Sequence, residues 1–251
     1  MKSIITGING TVAPVLAKSL RAAEHTVVSW NRTQVPTDNQ QAINEFIANE
    51  QPDYFFHLAN GSPDWAETVA QACAQRGIKF LFTSSVSVFA STQHGPFTVN
   101  NSPQPDEDYG NYKFECESRV RDAHPEARVV RLGWQIGETP GGNHMVDFLE
   151  RTFQREGHIT ASVNWYQACS FLTDTANGLR QIMDHHPAGL YHLDGNPGLN
   201  FYEIALGLNG LLGHPWAIVS SNAPNLNNLL RDERVQVNPI TSRFAVSFDG
   251  Q

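Results

Sequence analysis

The sequence predicts an α/β fold: a doubly wound parallel sheet (a Rossmann fold) with a small C-terminal substrate lobe. Two observations carry this prediction. In the first half of the 251 residues, short and almost wholly apolar segments alternate with amphipathic helical patterns, which is typical of a parallel sheet covered on both faces. A glycine-containing turn also follows the first apolar segment and opens the first helical pattern. Right-handed crossovers between the strands then give the doubly wound arrangement.

The alternation assigns the elements in order. Strands are expected at Lys2–Thr6, Thr26–Trp30, Asp53–Leu58, Ile78–Thr83, Ala127–Leu132 and Gly189–Leu193. Helices are expected at Val12–Ala23, Gln40–Asn49, Asp64–Arg76, Gly110–Ala123, Met145–Arg155, Thr173–His185 and Phe201–Leu212. Gly137–Asn143 is rich in turn residues, and Ala223–Gln251 shows only mixed signals. We expect a dinucleotide-binding domain at residues 1–133 with a returning segment near 159–185, and a substrate lobe made of residues 134–158 and 186–251.

Composition excludes several classes of protein. The 17 Lys and Arg against 25 Asp and Glu give a net charge of −8 with no basic run, so nucleic-acid binding is not expected. No stretch reaches the roughly 18 apolar residues of a membrane span. The three cysteines are scattered and have no histidines close by, which predicts neither a disulfide framework nor a metal site. No signal peptide precedes the first strand, and we expect a cytoplasmic protein.

A phosphate-binding loop is predicted at Thr6–Ala13, between the first strand and the first helix. The chain must turn sharply there and bring backbone N–H groups against a pyrophosphate at the helix N-terminus, which Gly7 and Gly10 permit. Ala13 takes the place of a third glycine and is small enough for helix–strand packing. Pro14 falls in the first helical turn, where its missing N–H is tolerated. An ordinary turn is the alternative interpretation.

The end of the second strand favours NADP over NAD. An NAD site normally carries Asp or Glu there for the ribose 2′-hydroxyl, whereas this chain has the segment Ser29–Arg32 without a carboxylate. The planar fork of Arg32 could pair with a 2′-phosphate. The other interpretation is a solvated surface arginine, and NAD remains an alternative cofactor.

A serine, a tyrosine and a lysine form the predicted catalytic set. Tyr109 and Lys113 are spaced i, i+4 and share one helical face, and Ser85 follows the fourth strand. An ammonium beside a phenol favours the phenolate and lowers its pKa, so that the phenol can exchange a proton with a substrate alcohol. Ser85 would hydrogen-bond the same oxygen. Tyr112 lacks the lysine partner, and His57 is expected to serve packing or local hydrogen bonding.

In combination, these motifs resemble the extended short-chain dehydrogenases/reductases over roughly residues 1–215. Gly7, Gly10 and Ala13 fit TGxxGxxG/A; Pro52–Asn60 is similar to PDxVFHLAA; Ser84–Ser85 with Val88–Phe89 is similar to SSxxVYG; Tyr109–Glu117 is similar to YGxxKxxxE; Arg131–Gly137 is similar to RxxxVYG; Asp174 and Gly189–Gly195 are similar to later family features. Within the family the chain most resembles dTDP-4-dehydrorhamnose reductases and NAD-dependent epimerase/dehydratase proteins.

The resemblance implies roles for individual residues. Ser85, Tyr109 and Lys113 would be catalytic. The predicted cofactor-binding residues are Gly7, Asn9, Gly10, Thr11, Val12, Arg32, Leu58, Ala59, Asn60, Ser84, Tyr109, Lys113 and Leu132. The predicted substrate residues are Ser85, Trp134, Gln135 and Asn143, of which Trp134 matches the tryptophan of an "SW" segment in the reductases. The reductase "TD" pair is here Ser85-Val86, which is closer to the epimerase form.

The resulting functional hypothesis is an NAD(P)-dependent reductase or dehydrogenase of a sugar carbonyl, possibly nucleotide-linked. A sugar-nucleotide epimerase would use the same three residues but keep its cofactor through the cycle. A non-catalytic dinucleotide-binding regulator is the third hypothesis, and it is less favoured because Tyr109 and Lys113 are both present. Either a monomer or a homodimer is expected.

Overall fold

The structure is a computed structural model that describes residues 1–138 and 141–244, which form two compact units. The first unit consists of Met1–Ala90, Pro103–Arg131 and Ala176–Tyr191. The second consists of Ser91–Ser102, Leu132–Thr175 and the described residues from His192 onward. The chain is thus divided differently from the prediction, since the returning segment is 176–191 rather than 159–185. The reason is that residues 159–171 form short strands that pair inside the second unit.

The elements follow the predicted alternation in the first half of the chain. The strands are β1 (Lys2–Ile5), β2 (Thr26–Ser29), β3 (Tyr54–His57), β4 (Lys79–Ser85), β5 (Phe97–Thr98), β6 (Arg128–Leu132), β7 (Trp134–Ile136), β8 (Ile159–Ser162), β9 (Trp165–Tyr166), β10 (Cys169–Phe171), β11 (Gly189–Leu193), β12 (Ile218–Ser221), β13 (Leu226–Asn227) and β14 (Leu230–Arg231). The helices are α1 (Ala13–Ala22), α2 (Gln40–Glu50), α3 (Pro63–Ala74), α4 (Asp108–Ala123), α5 (Met145–Glu156), α6 (Leu172–His185) and α7 (Phe201–Leu212). Short 3-10 turns occupy Val86–Val88 and Ile240–Arg243.

The six-stranded sheet of the first unit confirms the predicted parallel α/β architecture. Its strand order is β11-β6-β4-β3-β1-β2. β1 pairs in parallel with β2 on one side and with β3 on the other. The order therefore reverses at β1, and in such sheets ligands bind beyond the carboxyl ends of the strands at the point of reversal. This places the expected crevice beyond the ends of β1 and β3.

Both faces of this sheet are buried, as a doubly wound fold requires. On one face Ile4, Phe55 and Phe80 belong to a core that includes residues of α2, α3 and α4. Their neighbours along the strands, such as Ile5 and Phe56, are equally buried on the opposite face. α1 packs against β1 and β2. The side chains of Ser19 in α1 and Asn177 in α6 are joined by a hydrogen bond of 3.1 Å.

The second unit has its own core and four two-stranded parallel pairs. The pairs are β10 with β7, β12 with β8, β13 with β9, and β14 with β5. Asp194 joins several of these segments, because its buried carboxylate accepts backbone N–H groups from Cys169, Asn196 and Leu230. Burial raises the pKa of this carboxyl to about 7, against the lowering effect of those hydrogen bonds.

The late chain is where prediction and structure differ most. α7 has the predicted bounds, since Asn200 and Glu203 form a capping box at its start and Gly213 ends it in the left-handed region. The strands of two to four residues in the second unit were not predicted, whereas the five-residue strand β11 of the six-stranded sheet was. Of the turn-rich and mixed segments, residues 139–140 and 245–251 lie outside the described residues.

None of the helices within the described ranges is long and apolar enough to span a membrane.

Candidate cofactor and catalytic site

The predicted phosphate loop leaves β1 through a close backbone approach to the end of β3. Gly7 has φ of +79°, and a Cβ at this position would lie 3.1 Å from the backbone N and Cα of Ala59. The N–H of Gly10 donates to the carbonyl of Gly7 over 2.8 Å. A side chain at position 7 would be strained and would also meet the backbone that follows β3. Glycine is therefore required there by both conformation and space.

The N-terminus of α1 has no side-chain cap. Val12 is the N-cap residue and its side chain makes no cap hydrogen bond, and the first turn holds no acidic residue. Such an end presents backbone N–H groups and the positive end of the helix dipole. Asn9 is exposed and Thr11 partly exposed in the loop that leads to it. This end of the helix fits a phosphate group.

The hydroxyl of Thr6 holds the ends of β1 and β3 together. Its Oγ1 accepts the backbone N–H groups of Leu58 and Ala59, each over 3.0 Å. Both acceptor positions are then filled, so the hydroxyl donates to Nδ1 of His57, 3.3 Å away. Burial, with help from the positive charges of Lys113 and Arg32, lowers the pKa of His57 to about 3. His57 is therefore neutral and serves local hydrogen bonding.

The Arg32 side chain is held in place beyond the end of β2 by a carbonyl group and an aromatic ring. Its Nη2 donates to the carbonyl of Asn60, and its guanidinium carbon lies 4.9 Å from the centre of the Trp65 ring. Gly61 makes room for that ring, since a Cβ there would lie 2.4 Å from it. Within residues 1–138 and 141–244, no carboxylate lies within ion-pair distance of Arg32. The guanidinium thus keeps an uncompensated charge near the end of β3, as a 2′-phosphate would require.

These features together fit the phosphate groups of a dinucleotide. The close approach at Gly7 leaves room for a pyrophosphate beside the loop. The backbone N–H groups at the start of α1 and the guanidinium of Arg32 are the kinds of donor that two phosphate groups and a 2′-phosphate need. In the part of the chain that the structure describes, no three His, Cys, Asp or Glu side chains are grouped so that they could hold a metal.

Ser85 and Tyr109, which were both predicted to act on the substrate oxygen, lie near each other, and the electrostatics of Tyr109 differ from the prediction. Ser85 is the last residue of β4 and Tyr109 is the second residue of α4, and the Ser85 hydroxyl lies close enough to the phenol to influence its pKa. Tyr109 keeps 44% of its surface exposed. Burial nevertheless raises the pKa of its phenol, and the hydrogen bond with Ser85 opposes that rise. The expected lowering of this pKa by the Lys113 ammonium group is not found.

Lys113 is buried at the base of the same helix turn. Its Nζ donates to the carbonyl of Thr83 over 3.0 Å and lies 5.8 Å from the centre of the Tyr109 ring. The rings of Phe82 and Tyr112 are 5.0 Å and 5.5 Å away. Burial lowers the pKa of Lys113 to about 8. The amine therefore remains mostly protonated at neutral pH.

A buried ion pair that the sequence analysis did not identify anchors α4. The carboxylate of Glu117 accepts from Nε and Nη2 of Arg131 in β6 at 2.9 Å and 2.7 Å. Both side chains are almost fully buried. Such pairs fix geometry, because removing one partner leaves a buried charge. The sequence did contain one indication of this pair, because Glu117 is the glutamate of the YGxxKxxxE segment, one helical turn beyond Lys113.

The remaining predicted residues lie in both units. Ser84 is buried in β4, and its hydroxyl has no hydrogen-bond partner among the described residues. Leu132 ends β6 at the start of the second unit. In that unit the Trp134 ring lies 5.2 Å from Phe148 and stacks on Phe201 at 6.1 Å. The amide nitrogen of Gln135 donates to the carbonyl of Gly133, and the exposed Asn143 precedes α5. Their roles stay predictions.

The comparisons with known proteins point to one family. The model of the RmlD substrate-binding domain matches residues 62–211. The probable low-salt glycan biosynthesis reductase Agl14 of Haloferax volcanii is 25% identical over 223 residues, which cover 77% of this chain and 74% of that protein. Methionine adenosyltransferase 2 subunit beta of the mouse is 26% identical over 239 residues, covering 80% of this chain and 69% of that one.

Two solved structures illustrate the likeness of the fold. The dTDP-4-dehydrorhamnose reductase of Bacillus anthracis, solved in complex with NADP, has a TM-score of 0.82 and 18% identity, with 95% of both chains covered. The UDP-glucose 4-epimerase of Thermus thermophilus, solved with NAD, has a TM-score of 0.67 and 15% identity, covering 90% of this chain and 89% of the epimerase.

The burial of Lys113 has a measurable pH dependence. Its pKa is about 8 in the folded protein against 10.5 for the free side chain, so between these values the unfolded chain binds more protons. The stability of the protein should therefore rise relative to Lys113→Met as the pH increases from 7 to 10.5, by about 3 kcal/mol in total. Urea unfolding across this range measures the change.

The exposed Lys18→Met variant is the control for removing one positive charge. A constant stability difference between the protein and Lys113→Met over the whole range would contradict the burial of the charged amine.

Proposed function

The chain belongs to the RmlD substrate-binding-domain family, as its resemblance to the extended short-chain dehydrogenases/reductases predicts. From that membership we propose that it is an NADP-dependent reductase of a nucleotide-linked keto sugar. It is an oxidoreductase of the extended short-chain type. The observation that carries the finer proposal lies in the first unit. That unit holds both the dinucleotide loop at Gly7 and the contact of Ser85 with Tyr109, with Lys113 one turn away.

The cofactor is assigned to the loop and strand ends of the first unit. Gly7, Asn9, Gly10, Thr11 and Val12 would hold the pyrophosphate at the start of α1. Arg32 would bind the 2′-phosphate, and a neighbour of this fold solved with NADP supports that choice. A neighbour solved with NAD keeps NAD as the alternative. Leu58, Ala59, Asn60, Ser84 and Leu132 are proposed to line the rest of the dinucleotide.

The chain's own residues then handle the substrate oxygen. Reduced nicotinamide, when bound, supplies the hydride that the carbonyl carbon accepts. Ser85 donates a hydrogen bond to the carbonyl oxygen and polarises it. Tyr109 gives its phenolic proton to the same oxygen as negative charge develops there. Because burial raises the pKa of Tyr109, the phenol carries this proton before the reaction.

Lys113 is proposed to stabilise the phenolate that remains on Tyr109. Its ammonium has three donors, of which one goes to the carbonyl of Thr83. The others would reach the cofactor's ribose hydroxyls. Trp134, Gln135 and Asn143 of the second unit are proposed to contact the sugar.

Two rival functions remain distinct in what they predict. An epimerase would use the same three residues without net consumption of cofactor, and an epimerase is among the structural neighbours. A regulatory role is suggested by the relative that is named as a subunit of methionine adenosyltransferase. The presence of Ser85, Tyr109 and Lys113 near one another favours an enzyme over a silent regulator.

The first functional prediction concerns Tyr109→Phe. The protein should oxidise NADPH in the presence of dTDP-linked 4-keto-6-deoxy sugars, followed by the loss of NADPH absorbance. Tyr109→Phe should lower kcat about a thousandfold, the range of general acid catalysis, while NADPH affinity is nearly unchanged. Tyr112→Phe keeps its ring and should retain turnover. Persistent activity in Tyr109→Phe would refute the acid assignment, and conversion of sugars without net NADPH loss would identify an epimerase.

The second functional prediction concerns cofactor choice. Arg32→Ala should weaken NADPH binding about tenfold or more, as expected for a charge-assisted contact to phosphate, and leave NADH binding unchanged. Arg32→Lys should fall between the two, since it keeps the charge but not the planar fork. Arg21→Ala, on the exposed end of α1, is the matched control. Equal NADPH and NADH affinities that do not respond to Arg32→Ala would remove the preference for NADP.

A further inference from the structure

Ser85 is held by a second serine that the proposed mechanism does not use. The Ser85 hydroxyl donates to Oγ of Ser87 over 3.1 Å, and the backbone N–H of Ser87 donates back to Oγ of Ser85 over 3.1 Å. Ser85 thereby caps the 3-10 turn at Val86–Val88. Two contacts from one residue fix the rotamer of the Ser85 side chain.

The backbone of Ser87 also touches the helix that carries Tyr109. Gly110 lies in the first turn of α4, and a Cβ there would lie 2.0 Å from the carbonyl oxygen of Ser87. It would also lie 3.0 Å from Cβ of Pro105. No other residue type fits without displacing either the helix or the turn. Gly110 therefore permits backbone contact between the turn and the helix directly beside Tyr109.

These contacts form one short chain from Ser85 through Ser87 and Gly110 to Tyr109. We propose that Ser87 and Gly110 are positioning residues that set the separation between the Ser85 and Tyr109 hydroxyls. The inference rests on the proposed reductase function of the same site. Ser87 orients Ser85 through its side chain and N–H, and it fixes α4 through its carbonyl group. The proximity of Ser85 and Tyr109 then follows from the backbone packing of Ser87 against Gly110, and does not depend on side-chain rotamers alone.

The Ser87 hydroxyl has a second use when a carbonyl binds. The single proton of the Ser85 hydroxyl serves either Oγ of Ser87 or the phenol oxygen of Tyr109. To polarise a substrate carbonyl, Ser85 must turn that proton to the substrate oxygen. The Ser87 hydroxyl can then rotate and donate to Oγ of Ser85, because a hydroxyl is both donor and acceptor. An alanine at position 87 has no hydroxyl, so it can neither accept a hydrogen bond from Ser85 nor donate one to it.

Gly110→Ala tests the backbone contact. The added methyl should displace the first turn of α4 and lower kcat about a hundredfold, the effect of a misplacement of about 1 Å. NADPH affinity should change less than kcat, because the phosphate loop and Arg32 lie outside α4, whereas stability should fall, because a methyl group 2.0 Å from a backbone oxygen forces the helix and the turn apart. The pKa of the Tyr109 phenol should rise, since the Ser85 hydrogen bond that lowers it is lost. Ultraviolet titration of each protein against its Tyr109→Phe derivative isolates this phenol from the other tyrosines.

Ser87 variants test the hydroxyl. Ser87→Ala should lower kcat about tenfold, the order expected for one neutral hydrogen bond, and Ser87→Thr should restore it to within about threefold. Asn111→Ala, an exposed change in the same helical turn as Gly110, is the control and should leave kcat and the phenol titration unchanged.

The outcomes separate this inference from the proposed function. Wild-type kcat and an unshifted phenol titration in Gly110→Ala would overturn it, as would a Ser87→Thr variant as impaired as Ser87→Ala. If Gly110→Ala does not fold, the Ser87 pair decides. If none of the keto sugars tested makes the wild-type protein oxidise NADPH, the proposed function fails. The phenol titration of Gly110→Ala then still decides the positioning role.

Discussion

One buried hydroxyl, that of Thr6, determines the geometry on which the candidate site depends. It accepts the N–H groups that follow β3 and donates to the neutral ring of His57. This fixes the carboxyl ends of β1 and β3 against each other where the strand order reverses. Gly7 can then approach Ala59 as closely as it does, and the carbonyl of Asn60 lies within reach of Arg32. The loop, the strand end and the cation are parts of one hydrogen-bonded corner.

The second constraint is the placement of α4, which carries a charged amine into a buried position. The Glu117–Arg131 pair ties the helix to β6, and Lys113 is held by a carbonyl group and three aromatic rings. Burial acts in opposite directions on the two titrating groups, since it lowers the pKa of Lys113 and raises that of Tyr109. A protonated phenol beside a protonated amine suits donation of a proton to an alkoxide, which is the reductive direction.

The sequence predicts what depends on periodicity and spacing, and misses what depends on long-range contact. Helix α7 was predictable to the residue because its caps are local, and Tyr109 and Lys113 follow from an i, i+4 spacing. Strands such as β5 and β9 contain two residues each, too few for any period to appear. The raised pKa of Tyr109 arises from burial, which no local pattern reports. The approach of Gly110 to Ser87 joins distant segments through a backbone oxygen, so the glycine alone gave no hint of its neighbour.

The most direct test of this account is a fluorescence titration of NADPH with the wild-type protein, Thr6→Ser and Thr6→Val. Serine keeps the hydroxyl and should bind NADPH almost as the wild type does. Valine has the same shape but leaves the N–H groups of Leu58 and Ala59 without an acceptor, and it should weaken binding about tenfold or more while the protein remains folded. A wild-type protein that does not bind NADPH, or a Thr6→Val variant that binds it equally well, would contradict the account.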